Sequence, residues 1–550
     1  MSVILSYPWF KLDGLNIFVV LAIGLFSFLT LIYSARFMKG RKNLLQYYLY
    51  IISTALVSIL AVLSNHLILL LVFWGFLGLT LYLLINMGSE NSSAIAKKTF
   101  IIVGGSDALM LLGIGIIYYL SGQLFMDKIK LGLDNGLAQA AYLCIAVACF
   151  AKAGAMPFHS WIPDCAKEAP VPVVAFLPAS LDKLLGIYLL TRVSLDLFRL
   201  NQAMNIFLMA VGAFTIVAAV MMALVQHDMK RLLGYHAVSQ VGYMVLGIGS
   251  GNPIGVAGGI FHMLNHAIYK SCLFFTSGNV EYRAKTTQLD ELGGLAKSMP
   301  LTYISCLIAS LSISGIPPFN GFVSKWMVYQ GLIENLRVTD YGLRITSILC
   351  LAAAMFGSAL TLASFMKLIH ATFLGQPADS KRPVITEVSW PMWLPVIILA
   401  VICIIFGVFA NQIPLKYFIL PAVGGVTFIG TWYAGLATLL VFIGLILGIL
   451  IFKLKELGPI VRQDSAFTGA ETADLKENIV SGTEFYNTIK EISPLKRIYR
   501  LAEKGIFDIY EQAKIFVFGM GRFLQYLHNG VLPTYLVWIL LGMAVLFLVL

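Results

Sequence analysis

The sequence predicts an all-α, polytopic membrane helix bundle with an amphipathic segment and one last span behind it. Three observations carry that prediction. Of the 550 residues, 59% are hydrophobic and only 12% are charged, with a mean hydropathy of +0.86. Apolar runs of about 20 residues, the length that crosses a hydrocarbon core, recur along most of the chain and make about 14–16 spans. The runs are continuous rather than alternating, which excludes a transmembrane barrel. Length alone suggests several soluble domains, but one bundle accounts for most of the chain.

In order, the expected spans are 15–36, 44–63, 67–87, 99–121, 138–156, 171–196, 203–226, 232–250, 254–279, 300–316, 319–336, 343–374, 392–412, one or two within 415–452, and 532–550. The loop "ARFMKGRKN" (35–43) is strongly basic, the next loop is only Ser64–Asn65–His66, and the one after carries Lys97 and Lys98. By the positive-inside rule, 35–43 and 88–98 face the cytoplasm and the N-terminus lies outside a cell inner (cytoplasmic) membrane. The net charge of +11 reads as orientation, not as nucleic-acid binding. The seven cysteines form no CxxC pair, and Cys144 and Cys149 are the closest two, so they read as small core residues. No iron–sulfur or haem motif is present. The first apolar run is a full span without a cleavage site before it, so no cleaved signal peptide is expected.

Two spans are broken by proline. "KAGAMPFHSWIPDCAKEAPVPVVAF" holds Pro157, Pro163, Pro170 and Pro172, and "SGIPPFNGFVSKW" holds Pro317 and Pro318. Each break lies beside a lysine, Lys152 or Lys325. Broken helices at matching places in two halves suggest an internal repeat. Backbone groups freed at membrane depth need water or a polar lining, which marks a conducting site. Two proline-rich loops are the plainer reading; the paired lysines favour conduction.

After residue 453 the chain turns polar. There Tyr499, Ala502, Ile506, Ile509, Ala513, Phe516, Met520, Phe523 and Leu527 step by three and four, one continuous helical stripe. Arg500, Glu503, Lys504, Glu511 and Lys514 fall off it. Such a helix would run roughly 50 Å along the membrane surface. Pro494 should end or kink whatever precedes it. The stripe suits docking on lipid or a neighbouring protein better than a soluble linker.

The stretch "GGIFHMLNHAIYKSCLFF" (258–275) puts His262, His266 and Lys270 four residues apart, on one face of an otherwise apolar helix. Two histidines at this spacing would suit zinc, but no third ligand is near and Lys270 would repel the metal. A proton relay fits better, since histidine changes charge near neutral pH and a desolvated lysine gives up its proton readily. Other members of the constellation are Asp107, Lys152, Asp182, Lys183 and Lys325. Asp182 and Lys183 are neighbours that face different directions, and one of them could face Lys152 across the broken helix. Lys230, at a helix start, reads equally as an orientation signal or as part of conduction. Snorkelling lysines near span ends and packing histidines are the structural alternatives.

"KAGAMPFHSWIPDCAKEAPVPV", "HDMKRLLGYHAVSQVGYMVLG", "GGIFHMLNHAIYKSCLFFTSG" and "GIPPFNGFVSKWMVY" resemble, in that order, motifs of the antiporter-like subunits of respiratory complex I, membrane-bound (group 4) hydrogenases and Mrp-type antiporters. The resemblance runs from about Leu12 to Leu374, and the tail resembles the lateral arm of the longest such subunit. "PASLDKLLGIYLL" and "SGTEFYNTIKE" are similar to the hydrogenase-type branch. The resemblance implies two inverted repeats of five helices, each with one broken helix and one half-channel. The implied division is 1–63 N-terminal spans, 64–200 first repeat, 201–380 second repeat, 381–453 C-terminal spans, 454–530 lateral arm and 531–550 anchor span. Lys152 matches the lysine of the first broken helix. His262, His266 and Lys270 match the connecting axis, Lys325 the second broken helix, and Asp107 an acid one helix earlier.

Three departures stand out. The family's glutamate falls at Gly75 in "LLLVFWGFLGL", so either the usual Glu–Lys switch is absent or Asp182 or Asp107 serves instead. Pro178 stands where a histidine is common, four residues before Asp182, which makes Asp182 the expected partner of Lys152. The chain begins where the family's third helix is expected, so a small subunit or none supplies the first two. The resemblance implies a proton-translocating subunit of a redox-driven membrane complex. No redox chemistry or cofactor is expected in this chain. Expected partners are other membrane subunits, further antiporter-like ones included, and indirectly a soluble arm carrying iron–sulfur clusters with flavin or nickel–iron; membrane lipid is a partner and nucleic acid is not. The rival expectations are a sodium/proton antiporter subunit and a structural arm subunit with an inactive channel.

Overall fold

The computed structural model describes residues 8–375, 385–423, a few positions between 439 and 483, and 486–549. It is a bundle of α-helices, ten of which, among the described residues, are long and apolar enough to cross a membrane. Most of the one or two spans expected within 415–452, and most of the polar stretch 451–485, lies outside the described residues.

The helices are α1 (Gly14–Phe37), α2 (Leu44–Leu63), α3 (Leu67–Ile85), α4 (Ser92–Ser121), α5 (Gly136–Ala153), α6 (Trp161–Glu168), α7 (Val171–Phe176), α8 (Asp182–Arg192), α9 (Gln202–Leu224) and α10 (Met229–Gly249). They continue as α11 (Pro253–Ala284), α12 (Pro300–Ser314), α13 (Asn320–Glu334), α14 (Tyr341–Ile369), α15 (Trp390–Val408) and α16 (Leu420–Val423). Starts are set by short polar side chains that accept from free N–H groups: Asp13 for α1, Asn135 for α5, Asn201 for α9, Asp228 for α10, Asn252 for α11 and Asp340 for α14. α10 and α11 are long but less apolar, because they carry the polar interior.

Loop contacts sort into two ends. At one end Asn65 N donates to Trp9 O (2.8 Å), Asn201 Nδ2 to Leu133 O (3.1 Å), Gln202 Nε2 to Asp340 Oδ1 (2.6 Å) and Asn252 Nδ2 to Asn335 Oδ1 (2.9 Å). Two short parallel strands, β1 (Leu131–Gly132) and β2 (Phe198–Arg199), pair there too. At the other end Ser89 N donates to Glu168 O (3.1 Å), Met229 N to Thr287 O (2.9 Å) and Ala296 N to Phe373 O (3.0 Å). The broken helix α5–α6 therefore runs from the first end to the second, and α12–α13 runs back.

The two breaks share one local geometry. α5 stops at Gly154 (φ +83°) and α12 at Gly315 (φ +80°), and in each case a cis-proline follows three residues later, Pro157 or Pro318. The left-handed backbone is open to glycine and costly for other residues.

The expected span 171–196 is present as one apolar helical stretch, Val171–Leu197, with a local irregularity inside it. Residues Leu177–Leu181 form a π-helical turn between α7 and α8. Pro178 has no N–H to give, and Ser180 Oγ donates to the carbonyls of Ala175 (3.0 Å) and Phe176 (2.6 Å). The extra residue rotates everything after it by about 100° about the helix axis.

Elsewhere close crossings hold the bundle: α9 and α10 meet where Gly212 and Gly242 face each other, so that a Cβ on Gly242 would lie 2.5 Å from Gly212 O.

The chain divides into two units, Met1–Thr488 and Ile489–Leu550. The second contains α18 (Ser493–Glu503), α19 (Ile509–Leu527) and α20 (Leu532–Val549); α17 (Asn487–Glu491) lies across the division. The expected single helix over 499–527 is corrected. Gly505 adopts φ +73° and ends α18, and the Asp508 carboxylate accepts from Tyr510 N (3.0 Å) to start α19. The apolar period continues through a turn that breaks the helix. Pro494 opens α18 just after α17 has ended, as its fixed φ suits.

Candidate functional site

Lys152 is the second-last residue of α5, and its carbonyl-rich last turn is the negative end of a helix dipole. Its ammonium is sealed inside the bundle, 3.6 Å from Asp182 Oδ1, with both side chains at most 2% exposed. The indole of Trp74 on α3 closes it from another side, 5.4 Å from ring centroid to Nζ. Asp182 owes its direction to the π turn just before it. Lys183, the next residue, faces the same break: a Cβ on Gly154 would lie 3.7 Å from its Nζ, which also sits 5.6 Å from the Trp161 ring. Both neighbours thus face the first broken helix, one before the break and one after.

His262, His266 and Lys270 are fully buried along α11, and none is a snorkelling or lipid-facing group. His262 Nδ1 meets Ser324 Oγ of α13 at 2.9 Å, and its Nε2 meets Gln240 Oε1 of α10 at 3.1 Å. Tyr269 OH lies 3.3 Å from the same Nε2. Lys270 donates to Leu233 O of α10 at 2.7 Å. His266 has no side-chain hydrogen-bond partner, lies by the Ala179 backbone in the π turn and packs edge-on to Tyr269. Buried polar atoms without protein partners are uncommon. Among the buried side-chain atoms without a hydrogen-bond partner are Lys152 Nζ, Asp182 Oδ2 and Lys183 Nζ near the first break, and Gln240 Nε2 beside His262.

Lys325 lies beyond the second break, on α13, yet its Nζ reaches back to donate to Ile313 O in the last turn of α12 (2.9 Å). It also donates to Ser358 Oγ of α14 (3.1 Å) and sits 4.5 Å from the Tyr243 ring centroid. Tyr243 OH and Tyr329 OH meet the same serine at 2.9 and 2.7 Å. Both broken helices therefore hold an ammonium at the C-terminal end of their first half.

Of the remaining sequence candidates, Lys230 stands apart, whereas Asp107 interacts with Lys152 and with the Trp74 indole. Lys230, at the start of α10, pairs with Glu281 at the end of α11 (3.1 Å), at one end of the bundle. Asp107 on α4 is half-buried and faces α3, where a Cβ on Gly78 would lie 3.8 Å from its Oδ2. Gly75 faces outward, with nothing within 4 Å of a Cβ built on it. A side chain at that position would thus leave the chain rather than enter the space that Asp182 occupies.

Sequence reasoning misses Trp74, Gln240, Tyr243, Ser324, Ser358 and Tyr269. A signal exists for some of them: His236, Gln240 and Tyr243 stand at i, i+4 and i+7 in α10, a polar stripe on a buried helix. Among the described residues no three His, Cys, Asp or Glu side chains gather as a metal-binding group.

Known proteins share this architecture. A family model for the transmembrane part of NADH:quinone oxidoreductase and Mrp antiporters matches residues 64–370. Hydrogenase-4 component B of Escherichia coli (strain K12) is 30% identical over 426 residues, covering 74% of this chain and 63% of that protein. Na(+)/H(+) antiporter subunit A1 of Staphylococcus haemolyticus (strain JCSC1435) is 34% identical over 427 residues, covering 72% of this chain and 52% of that protein. The chain thus spans between half and two-thirds of the length of these curated relatives. The solved structure of a membrane-bound sulfane sulfur reductase, an archaeal respiratory membrane complex, matches with a TM-score of 0.78 and 23% identity over 98% of this chain and 89% of that one, a likeness of fold.

Proposed function

Because the chain belongs to the NADH:quinone oxidoreductase/Mrp antiporter transmembrane family, we propose that this antiporter-like subunit moves protons along its buried lysines and histidines within a multisubunit, redox-driven membrane complex. One observation carries the reading: the Lys152–Asp182 pair, closed off from solvent, with the buried Lys183 ammonium, which has no hydrogen-bond partner, at the same break.

The pair is the switch. While Asp182 is ionised, it holds Lys152 protonated. A charge change at a neighbouring subunit that weakens this hold releases the proton toward Lys183 and His266. From there it passes by Lys270 and His262 to Lys325 and leaves on the far side. One charge about 7 Å from another, at an effective dielectric near 20, contributes roughly 2 kcal/mol, more than a tenfold change in proton affinity. Water serves the unpartnered atoms between stations, since such atoms are costly to leave bare. The electron chemistry belongs to partner subunits with iron–sulfur clusters and flavin or nickel–iron. The complex lies in the cytoplasmic membrane with the N-terminus of this chain outside. Asp182 replaces the acid missing at Gly75, so that loss does not silence the first half.

A second reading is sodium/proton exchange, favoured by the 34% identity to an antiporter subunit. Inside-out vesicles carrying the intact complex separate the two. Acidification driven by the native electron donor, unchanged without sodium and abolished by Lys270→Ala, supports proton pumping. Sodium-dependent signals that need no electron donor support exchange, and full acidification in Lys270→Ala overturns the relay.

A further inference from the structure

We propose that the axis has a side branch through His236 and Lys367 that carries protons between Lys270 and the surface turn at 225–228. The branch rests on the axis reading above and adds a port and two carriers to it.

His236 is fully buried on α10, one turn after Leu233, whose carbonyl accepts from Lys270. The Phe365 ring of α14 lies against both groups, 4.7 Å from the His236 ring and 5.6 Å from Lys270 Nζ. His236 Nε2 meets Ser364 Oγ at 2.8 Å, while its Nδ1 has no partner. Lys367 follows Ser364 by three residues, so it shares that face of α14 one turn nearer the helix end. It is 2% exposed, and its Nζ donates to Leu224 O (2.7 Å) and Gln226 O (2.8 Å). Those carbonyls end α9 and open the turn where the His227 side chain is 39% exposed. Lys270, His236, Ser364 and Lys367 thus step across α11, α10 and α14 from the centre of the bundle to one of its ends.

The step balances without electrons or a co-reactant. Lys367 first releases a proton to water at the turn. Lys270 then gives one, through water, to His236 Nδ1. The imidazolium passes its Nε2 proton to Ser364 Oγ as the hydroxyl proton moves on to the Lys367 amine. Exchange through water, with the Nδ1 proton leaving and one returning to Nε2, restores the starting tautomer. The simpler role for Lys367 is a cap on the α9 carbonyls. A cap needs no buried histidine with an unbonded nitrogen beside it.

Arginine separates the roles, because it keeps the charge and the donors but does not deprotonate. Acidification would be measured in inside-out vesicles with the full complex, its assembly checked on native gels, for Lys367→Arg, Lys367→Met, His236→Gln and Lys270→Ala. The branch predicts that assembled Lys367→Arg and Lys367→Met both lose about tenfold or more in initial rate, as loss of a proton carrier does, with His236→Gln following them. A wild-type rate in Lys367→Arg makes the lysine a cap alone and overturns the branch. If Lys270→Ala also keeps its rate, the axis itself fails; if only Lys270→Ala loses it, the axis stands and the branch falls.

Discussion

Removing the Asp182 carboxylate while keeping Lys152 leaves a buried ammonium without its counter-ion. Breaking such a pair costs about 3–5 kcal/mol, whereas removing both partners is close to neutral. Asp182→Ala should therefore lower the thermal midpoint of the purified complex clearly, and Asp182→Ala with Lys152→Met should recover most of it. A double variant no better than the single would show that the two side chains do not depend on each other. At the first break, Gly154→Ala forces a side chain onto φ +83° and against Ile162. About 1–2 kcal/mol of backbone strain follows. Acidification should slow because Lys183, beside the same glycine, loses its position; an unchanged rate would refute that dependence. Much of this site is legible in the residues: a lysine or histidine in an apolar run carries its own cost, and Asp182 stands out for the same reason. The uncharged partners are harder to find, because Ser324, Ser358 and Gln240 are ordinary members of helices until their neighbours are known.

At the scale of elements, spans are legible because apolar runs persist and caps such as Asp13, Asn135 and Asp228 announce their starts. The π turn at Leu177–Leu181 is not, since its residues are as apolar as the helices on either side and only Pro178 hints at it. Gly505 is visible but is masked by an apolar period that runs through it. Pro178→Ala should let the helix close up and turn Asp182 away from Lys152. Acidification would then fall as in Asp182→Ala while helix content by circular dichroism stays the same. The close crossing of α9 and α10 gives a second expectation. Gly242→Val pushes a side chain into the backbone of Gly212, whereas Gly75→Val meets nothing in this chain. The first should cost several kcal/mol in heat-inactivation assays, by the overpacking it imposes, and the second almost nothing.

At the scale of the whole molecule, the division at Thr488 predicts that the first unit folds without the second. A chain ending there should keep its thermal midpoint in detergent within a few degrees, about what a change under 1 kcal/mol produces. The exposed apolar surface of α19 and α20 should make the loss visible in assembly instead, as fewer membrane subunits that copurify. A collapse of the midpoint would mean that the first unit depends on the second. The opposed course of α5–α6 and α12–α13 reaches further. Each first half ends on an ammonium, but one half descends and the other climbs, so two wells for a cation, one beside a carboxylate and one beside a hydroxyl, sit in backbones of opposite course. The backbone course of such a palindrome prefers traffic neither way. The same chain would run as a pump or as a turbine, and the arrow is drawn by whatever machinery is bolted beside it.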